Sequence, residues 1–224
     1  MLIRTGFALA VGASLLCAQD DAPDHRLRRS AEVFHEIMAA PDGGIPHGIL
    51  DRSQCVVIVP GVKKAAFVVG GEYGRGFAVC RHQGEWGGPA AVRVSGGSFG
   101  AQIGAESTDI VLLVMNQHGM DRLASDKFTL GSDASAAAGP VGRTASADTD
   151  ASMTAEILSY SRARGAFAGI ALDGTVISQD NSEDRKLYGR DVSNKAVIMG
   201  EVAAPASGTR LREELARVSP GYKR

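Results

Sequence analysis

Glycine is the residue that most restricts how this chain can fold. The sequence contains 28 glycines among 224 residues, which is well above the usual share of about one residue in fourteen. Many of them interrupt apolar runs, as in residues 65–79 and 166–172. Glycine inside an apolar run marks a bulge or the close approach of another backbone. The pattern therefore predicts closely packed, turn-rich β structure and not a flexible linker.

The segment 159–174 combines this feature with a turn signal. Residues 166–172 are small or apolar, with Gly169 in the middle, and Asp173 and Gly174 follow them. An Asp-Gly pair between two β-compatible runs favours a tight hairpin, because both central turn positions need positive φ. The sequence thus predicts a buried hairpin whose return strand is 175–178.

Helices are predicted on both sides of a β-rich body. One helical face is formed by Leu27, Ala31, Phe34, Ile37 and Met38, and Thr209 is predicted to cap a last helix with an apolar face. Apolar runs typical of strands lie at residues 55–59, 65–69, 77–81, 91–94, 101–103 and 110–115. We therefore expect an α+β fold, a closely packed antiparallel β barrel or sandwich of about eight to ten strands with N- and C-terminal helices.

The first 18 residues have the pattern of a secretory signal peptide. Arg4 provides a positive start, residues 7–16 form an apolar core, and cleavage is expected after Ala18. Lipid attachment at Cys17 is the alternative, although Leu16 is large for the position before a lipidated cysteine. Residues 19–224 are predicted to form one domain, with its core at about residues 30–200. We expect a periplasmic or secreted protein, or a lipoprotein anchored at Cys17.

The expected export bears on the redox state of two further cysteines. Export would place Cys55 and Cys80 in an oxidising compartment, where a disulfide persists. Each could equally be a small buried hydrophobic residue. The spacing alone does not decide between a bridge and two free thiols.

Composition argues against a nucleic-acid partner. The formal net charge is −1 at pH 7 and the mean hydropathy is −0.02. A near-neutral chain has no general field that attracts a polyanion. Aromatic residues make up 5% of the chain and are not interleaved with basic ones, as stacking surfaces for bases require.

No catalytic, cofactor or metal site is predicted. Ser98 lies in a Gly-x-Ser-x-Gly pattern, but a hydrolase nucleophile needs a strand, a sharp turn and then a helix. Strand-like residues 101–104 follow instead, so a hydrolase using Ser98 is only a third alternative. Cys80 and His82 share a strand face, yet no second ligand pair has a spacing typical of zinc sites.

Several motifs carry a resemblance to a known family. The segment Ser-Tyr-Ser-Arg followed by Gly-x-Phe-Ala-Gly-x-x-Leu-x-Gly, at residues 159–174, resembles the hallmark of the SYLF domain. Further similar motifs cover roughly residues 30–200, and they are Pro60 to Lys64, Gly70 to Gly76, Trp86 to Pro89, Gly100 to Gly104 followed by Asp109, and Gly139 to Arg143.

This resemblance implies a non-enzymatic module. The family is associated with membrane lipids, with phosphoinositides in eukaryotes, and with actin in fungi. Anionic or phosphorylated lipid head groups are therefore the predicted partners, held by basic side chains near glycine-rich turns. The predicted head-group ligands are Lys63, Lys64, Arg143, Arg162 and Arg164. An ordinary solvated turn is the alternative for the two lysines, and an ion pair in a tight turn is the alternative for Arg143.

The N-terminal helix allows two interpretations. As a membrane-contact helix it would place Arg26, Arg28 and Arg29 on head groups and Phe34 in the interface. As a structural helix it would pack its apolar face on the β core. A protein-interaction module of the cell envelope is the alternative function, because actin is an implausible partner for an exported bacterial protein. The sequence predicts neither the lipid nor the oligomeric state.

Overall fold

One very long β-hairpin forms the centre of the fold. In the computed structural model, β1 (Cys55–His82) pairs antiparallel with β2 (Glu85–Val114) along its length. Gln83 and Gly84 connect the strands, with φ angles of 53° and 87°. Positive φ at both turn residues matches the right-handed twist of the flanking strands, so this turn keeps them paired.

The structure describes residues 22–40, 44–141, 154–163, 166–167 and 172–220, without the side chains of 65–69, 98–106 and 166–167. Within these residues the helices are α1 (Pro23–Met38), α2 (His47–Arg52), α3 (Gln117–Leu123), α4 (Asn181–Tyr188), α5 (Asn194–Ile198) and α6 (Thr209–Val218). The remaining strands are β3 (Lys127–Thr129), β4 (Ala136–Ala138), β5 (Ile157–Ala163), β6 (Ala166–Phe167) and β7 (Val176–Gln179). A short 3₁₀ turn (Ala206–Gly208) precedes α6.

β1 bends back so that its two halves pack against each other. A Cβ atom on Gly76 would lie 2.0 Å from the carbonyl oxygen of Ile58, and one on Gly74 would lie 2.7 Å from Val62 Cγ2. Shifts in the pairing with β2, between residues 59 and 62 and between 66 and 68, accompany the bend. Residues 55–59, 65–69 and 77–81, predicted as separate strands, are therefore parts of β1, because its bends resemble strand ends in the sequence.

The other strands extend the hairpin into one curled, mainly antiparallel sheet. Residues 109–114 of β2 pair with 157–162 of β5, and residues 92–95 of β2 pair with 176–179 of β7. β4 runs parallel to β5, β6 pairs with β5, and β3 pairs with β7. With helices before and after the strands, the predicted α+β fold class with N- and C-terminal helices is confirmed.

The predicted hairpin at 166–178 has the expected turn but other strand partners. Thr175 N–H donates to the carbonyl of Leu172 (2.9 Å), and Gly174 has a φ of 82°. β7, however, pairs with β2 on one edge and with β3 on the other. Both of its edges are therefore occupied, and the prediction that it returns along 166–172 is wrong. Residues 168–171 lie outside the described part of the chain.

The sheet separates two apolar clusters. On one face, α1 and α6 cover every second residue of the strands, for example Ile58, Val111 and Leu158. On the other face, α3 and α5 cover their sequence neighbours, for example Val57 and Leu112. Side chains alternate across a strand, so consecutive apolar residues fill both clusters.

Cys55 and Cys80 form a disulfide within the second cluster. Both residues are almost fully buried. The two alternatives from the sequence, a disulfide and small buried hydrophobic residues, are therefore combined. The bond joins the first residue of β1 to a residue near its end. It thereby ties together the two halves of the bent strand.

Candidate functional site

Two of the predicted head-group and membrane residues meet where the α1-covered face of the sheet ends. Arg29 Nη1 of α1 lies 3.3 Å from Glu36 Oε1, and Arg162 Nη1 of β5 lies 3.8 Å from Glu36 Oε2. Arg29 Nη2 also lies 3.9 Å from Asp109 Oδ2. One carboxylate, Glu36, is thus shared by cations from two distant segments of the chain.

Strand alternation explains this meeting. Val111 and Tyr160 lie directly opposite each other in the cluster under α1, and Asp109 and Arg162 form the next pair in that series. The apolar face therefore ends in a charged row at its rim. Because the row lies beside α1, Arg29 can reach Asp109 from the helix.

Lys63 lies in the next row of the same face. It pairs with Ser107, two residues before Asp109 on β2, and its side chain is exposed. Among the described residues no ion pair holds it. We name the group of Arg29, Glu36, Lys63, Asp109 and Arg162 the charged edge.

Buried donors at and beside the charged edge make no hydrogen bond. Arg162 Nε and Nη1 and the Tyr160 hydroxyl are buried and make no hydrogen bond. Burial raises the pKa of Tyr160 far above its usual value, so its hydroxyl stays protonated. The backbone of Gly139 lies against the Tyr160 ring, and a Cβ there would be 2.1 Å from Tyr160 Cζ. This contact explains why glycine begins the Gly-Pro-Val-Gly-Arg motif.

Lys64 lies away from the charged edge. Its ammonium group is 3.5 Å from Glu72 Oε2 on the same bent strand. Glu72 is buried and also accepts a hydrogen bond from Thr175 Oγ1. Lys64 thus balances a buried carboxylate, which differs from a free surface lysine on a phosphate-binding loop.

The membrane-contact interpretation of α1 requires correction. Phe34 is fully buried in the cluster under α1, and Arg26 is buried beside Glu183. Neither side chain is available to a membrane, because the apolar face of the helix packs on the sheet. Arg28 is exposed, and Arg29 belongs to the charged edge. The structural interpretation of the helix is therefore correct for its apolar face.

Two other predicted ligands, Arg143 and Arg164, lie outside the described residues. The described residues that come before them in the chain are Val141, which is exposed, and Ala163, which ends β5. Their part in a head-group site stays a prediction.

Sequence reasoning missed a buried ionic cluster under α1, which we name the Asp180 network. Asp180 accepts two hydrogen bonds from Arg93, at 2.8 and 2.6 Å, and lies 2.9 Å from Arg75 Nη2. Burial alone would raise the pKa of Asp180, but the hydrogen bonds from Arg93 and Ser182 and the nearby arginine charges lower it to about 2. The carboxylate is therefore fixed in its charged form.

Glu183 and Asp184 complete the Asp180 network. Glu183 contacts Arg26 of α1 and lies 3.6 Å from Lys186. Asp184 accepts hydrogen bonds from Ala91 N (2.7 Å) and Asn194 Nδ2 (3.1 Å). Burial, together with the charges of Asp180 and Glu183, raises the pKa of Asp184 to about 6, against the two hydrogen bonds that lower it.

The backbone at Ser98 does not have the strand, sharp turn and helix that a hydrolase nucleophile requires. Ser98 pairs with Gly70 inside β2, and the strand continues to Val114 without a turn into a helix. Ser135 and His118 both contact Glu156, which lies between them, so the histidine does not reach the serine hydroxyl as a base would. No group of His, Cys, Asp or Glu suited to a metal occurs within the described residues.

Comparison with known proteins identifies the family. A family model described as Ysc84, Las17-binding protein actin regulator, matches residues 95–218, which is more than half of the chain. The chain belongs to the Ysc84 family. The SYLF resemblance of the sequence motifs is thereby confirmed. The matched region contains Asp109, Arg162 and the three acids of the Asp180 network.

Individual relatives show how far the similarity extends. An SH3 domain-containing protein of Schizosaccharomyces pombe is 39% identical over 167 residues, 73% of this chain and 39% of its own length. LAS seventeen-binding protein 3 of Saccharomyces cerevisiae is 33% identical over 168 residues, 73% of this chain and 36% of its own length. SH3 domain-containing YSC84-like protein 1 of Xenopus laevis is 29% identical over 204 residues, 88% and 61% of the two chains. The chain thus spans less than two thirds of these relatives.

Proposed function

We propose that this chain is a non-enzymatic, exported module that binds anionic lipid head groups at the charged edge. The observation that carries the proposal is the convergence of Arg29, Lys63 and Arg162. They come from a helix and two strands that are far apart in sequence, and they lie along one rim of one sheet face. A phosphate at this rim would meet Arg29 and Arg162, which share Glu36, with Lys63 in the next row of the face.

The ion pairs of the charged edge are of a kind that a phosphate can replace. Arg29 and Glu36 are both roughly half exposed, and exposed pairs contribute only about 0–1 kcal/mol. Arg162 Nη1 lies 3.8 Å from Glu36 Oε2, which is longer than a hydrogen bond, and a guanidinium can bind phosphate oxygens in a bidentate manner. Each Lys or Arg close to an anionic membrane surface adds about 1 kcal/mol of attraction.

Two observations bear on the expected location. A disulfide such as Cys55–Cys80 persists in oxidising compartments, which supports export by the proposed signal peptide or as a lipoprotein at Cys17. Among the described residues no helix has the length and apolar character needed to cross a bilayer. The proposed binding takes place at a membrane of the cell envelope.

Vesicle co-sedimentation of residues 19–224 tests the proposal. We expect binding to phosphatidylglycerol vesicles and not to phosphatidylcholine vesicles, and weaker binding at about 0.5 M than at about 0.05 M salt. A double variant, Lys63→Ala with Arg162→Gln, should lose most of this binding.

Lys195→Ala is the matched control, because Lys195 is an exposed lysine on α5, on the opposite face of the sheet. The control should bind like the unchanged chain. Equal binding to both kinds of vesicle, or equal loss in the control and the double variant, would contradict the proposal.

Protein binding is the second candidate function. The family is described as a Las17-binding actin regulator, and one relative is named for binding LAS seventeen. For an exported chain the partner would be another protein of the envelope. A stable complex with such a protein, together with no binding to any vesicle, would favour this candidate.

A further inference from the structure

A cavity of about 380 Å³ lies between α6 and the start of β2. This volume is within the range of cavities that hold small molecules. The start of β2 contributes Glu85 and Trp86, and Pro220 lies beyond the end of α6. The residues from α6 are three or four positions apart and therefore share one face of the helix: Thr209, Arg212, Glu213 and Ala216. We name this space the α6 cavity.

The strand wall of the α6 cavity is held in place by Trp86. The indole N–H donates to the carbonyl of Ser219 (3.1 Å), and the guanidinium carbon of Arg81 lies 3.9 Å from the ring centroid. The backbone carbonyl of Trp86 accepts a hydrogen bond from Arg212 Nε (2.9 Å). The wall is therefore ordered before a ligand arrives, which reduces the entropy lost on binding.

The charged side chains of α6 differ according to whether they line the cavity. Arg210 and Arg217 do not line it, and both are in ion pairs with acidic side chains. Arg212 and Glu213 do line it, and neither belongs to an ion pair of the described residues. The same is true of Glu85 on the strand wall. One cation and two carboxylates at the cavity are thus available to a ligand.

These three charges restrict the kind of ligand. Arg212 uses Nε for the Trp86 carbonyl, and its two terminal nitrogens make no hydrogen bond to a described residue. They can therefore bind a carboxylate. Glu85 and Glu213 can each bind an amino group. A simple anion would meet two carboxylates, and a diamine would leave Arg212 without a partner. A molecule with one carboxylate and two amino groups matches all three side chains.

We propose that the α6 cavity binds a free diamino acid of the lysine type. Its carboxylate would bind Arg212, its amino groups would bind Glu85 and Glu213, and its methylene chain would lie on Ala216. None of these residues belongs to the charged edge, so the proposal is independent of lipid binding.

Isothermal titration calorimetry of the full chain from residue 19 tests this inference, with L-lysine as the probe. Norleucine has the same carbon chain without the second amino group, and cadaverine lacks the carboxylate. We expect lysine to bind, and both analogues to bind at least about tenfold more weakly, because each loses hydrogen bonds between charged groups.

Glu213→Gln tests the predicted contact with an amino group. Glu213 is exposed and has no ion pair among the described residues, so the fold should tolerate the loss of its charge. Lysine should bind this variant at least about tenfold more weakly. Asp121→Asn is the control, because Asp121 is an exposed carboxylate of α3, on the opposite face of the sheet. It should bind lysine like the unchanged chain.

Arg212→Gln tests the predicted contact with the carboxylate. Lysine and norleucine should both lose at least about tenfold in affinity, whereas cadaverine, which has no carboxylate, should bind as it does to the unchanged chain. Arg122→Gln is the control, because Arg122 is an exposed arginine of α3. It should leave the affinity for all three compounds unchanged.

Several results would overturn the inference. They are the absence of lysine binding at millimolar concentration, equal affinity for lysine and either analogue, and equal lysine affinity of Glu213→Gln and Asp121→Asn. Glu213→Gln should keep its binding to phosphatidylglycerol vesicles. A loss of lysine binding with vesicle binding retained therefore separates this inference from the lipid proposal.

Discussion

Asp184 gives the most quantitative prediction. This carboxyl group is fully buried, and its pKa rises from 3.8 to about 6 in the fold. An acid whose pKa is higher in the folded state favours folding when protonated, and this contribution is lost as the pH rises through the folded pKa. The difference corresponds to about 3 kcal/mol, at about 1.36 kcal/mol per pH unit.

Replacing Asp184 by Asn removes this dependence. Relative to the unchanged chain, Asp184→Asn should gain about 3 kcal/mol in the free energy of unfolding between about pH 3.5 and pH 7. The direction of this pH dependence holds even if the amide fits the hydrogen bonds to Ala91 and Asn194 poorly. A poor fit changes the difference in free energy of unfolding between the two chains equally at every pH.

Urea denaturation at several pH values, followed by circular dichroism, measures this difference. Asp121→Asn on the exposed side of α3 serves as the control for loss of a surface carboxylate. A difference between Asp184→Asn and the unchanged chain that stays constant across the pH range would refute the reasoning. A difference that grows in favour of the unchanged chain as the pH rises would also refute it.

Three further predictions concern stability in urea. Replacing Cys55 and Cys80 by Ala should lower the free energy of unfolding by about 3.5 kcal/mol, from the loop entropy of a 25-residue separation; equal midpoints for the two chains under oxidising conditions would contradict this. Gly76→Ala should cost about 3 kcal/mol or more, because its Cβ would overlap the Ile58 carbonyl; an unchanged midpoint would show that β1 does not bend as described. Tyr160→Phe should be neutral or stabilise by up to about 1 kcal/mol, since its hydroxyl is buried without a partner; a marked loss would reveal a hydrogen bond.

Local patterns in the sequence predicted the N- and C-terminal helices and the fold class. The apolar spacings of α1 and α6 involve residues only a few positions apart, so a single sequence contains them. The predicted cap at Thr209 is wrong, because Gly208 is the N-cap of α6 and no side chain caps the helix. The local signal for the central hairpin is weaker. Its turn is Gln83-Gly84 and not the common Asn-Gly or Asp-Gly, and the bends of β1 resemble strand ends.

Contacts between distant segments could not be predicted. Asp180, Arg75 and Arg93 come from a helix cap and two strands, and only the register of β1 with β2 places the arginines opposite each other. Like charges in direct opposition would be unfavourable without Asp180 between them. The candidate site was predicted in part, because basic residues can be chosen from sequence while their carboxylate partners, such as Glu36, cannot.

The register of the central hairpin implies an order of folding. Pairs next to Gln83 and Gly84 are close in sequence, whereas Cys55 and Val114 are paired from opposite ends of the hairpin. Closing short loops loses less chain entropy, so pairing should spread outward from the turn. The rows that carry Asp109 and pair with β5 would then form late, and α1 would dock after them. The charged edge would exist only once β5 had joined the sheet and α1 had docked on it.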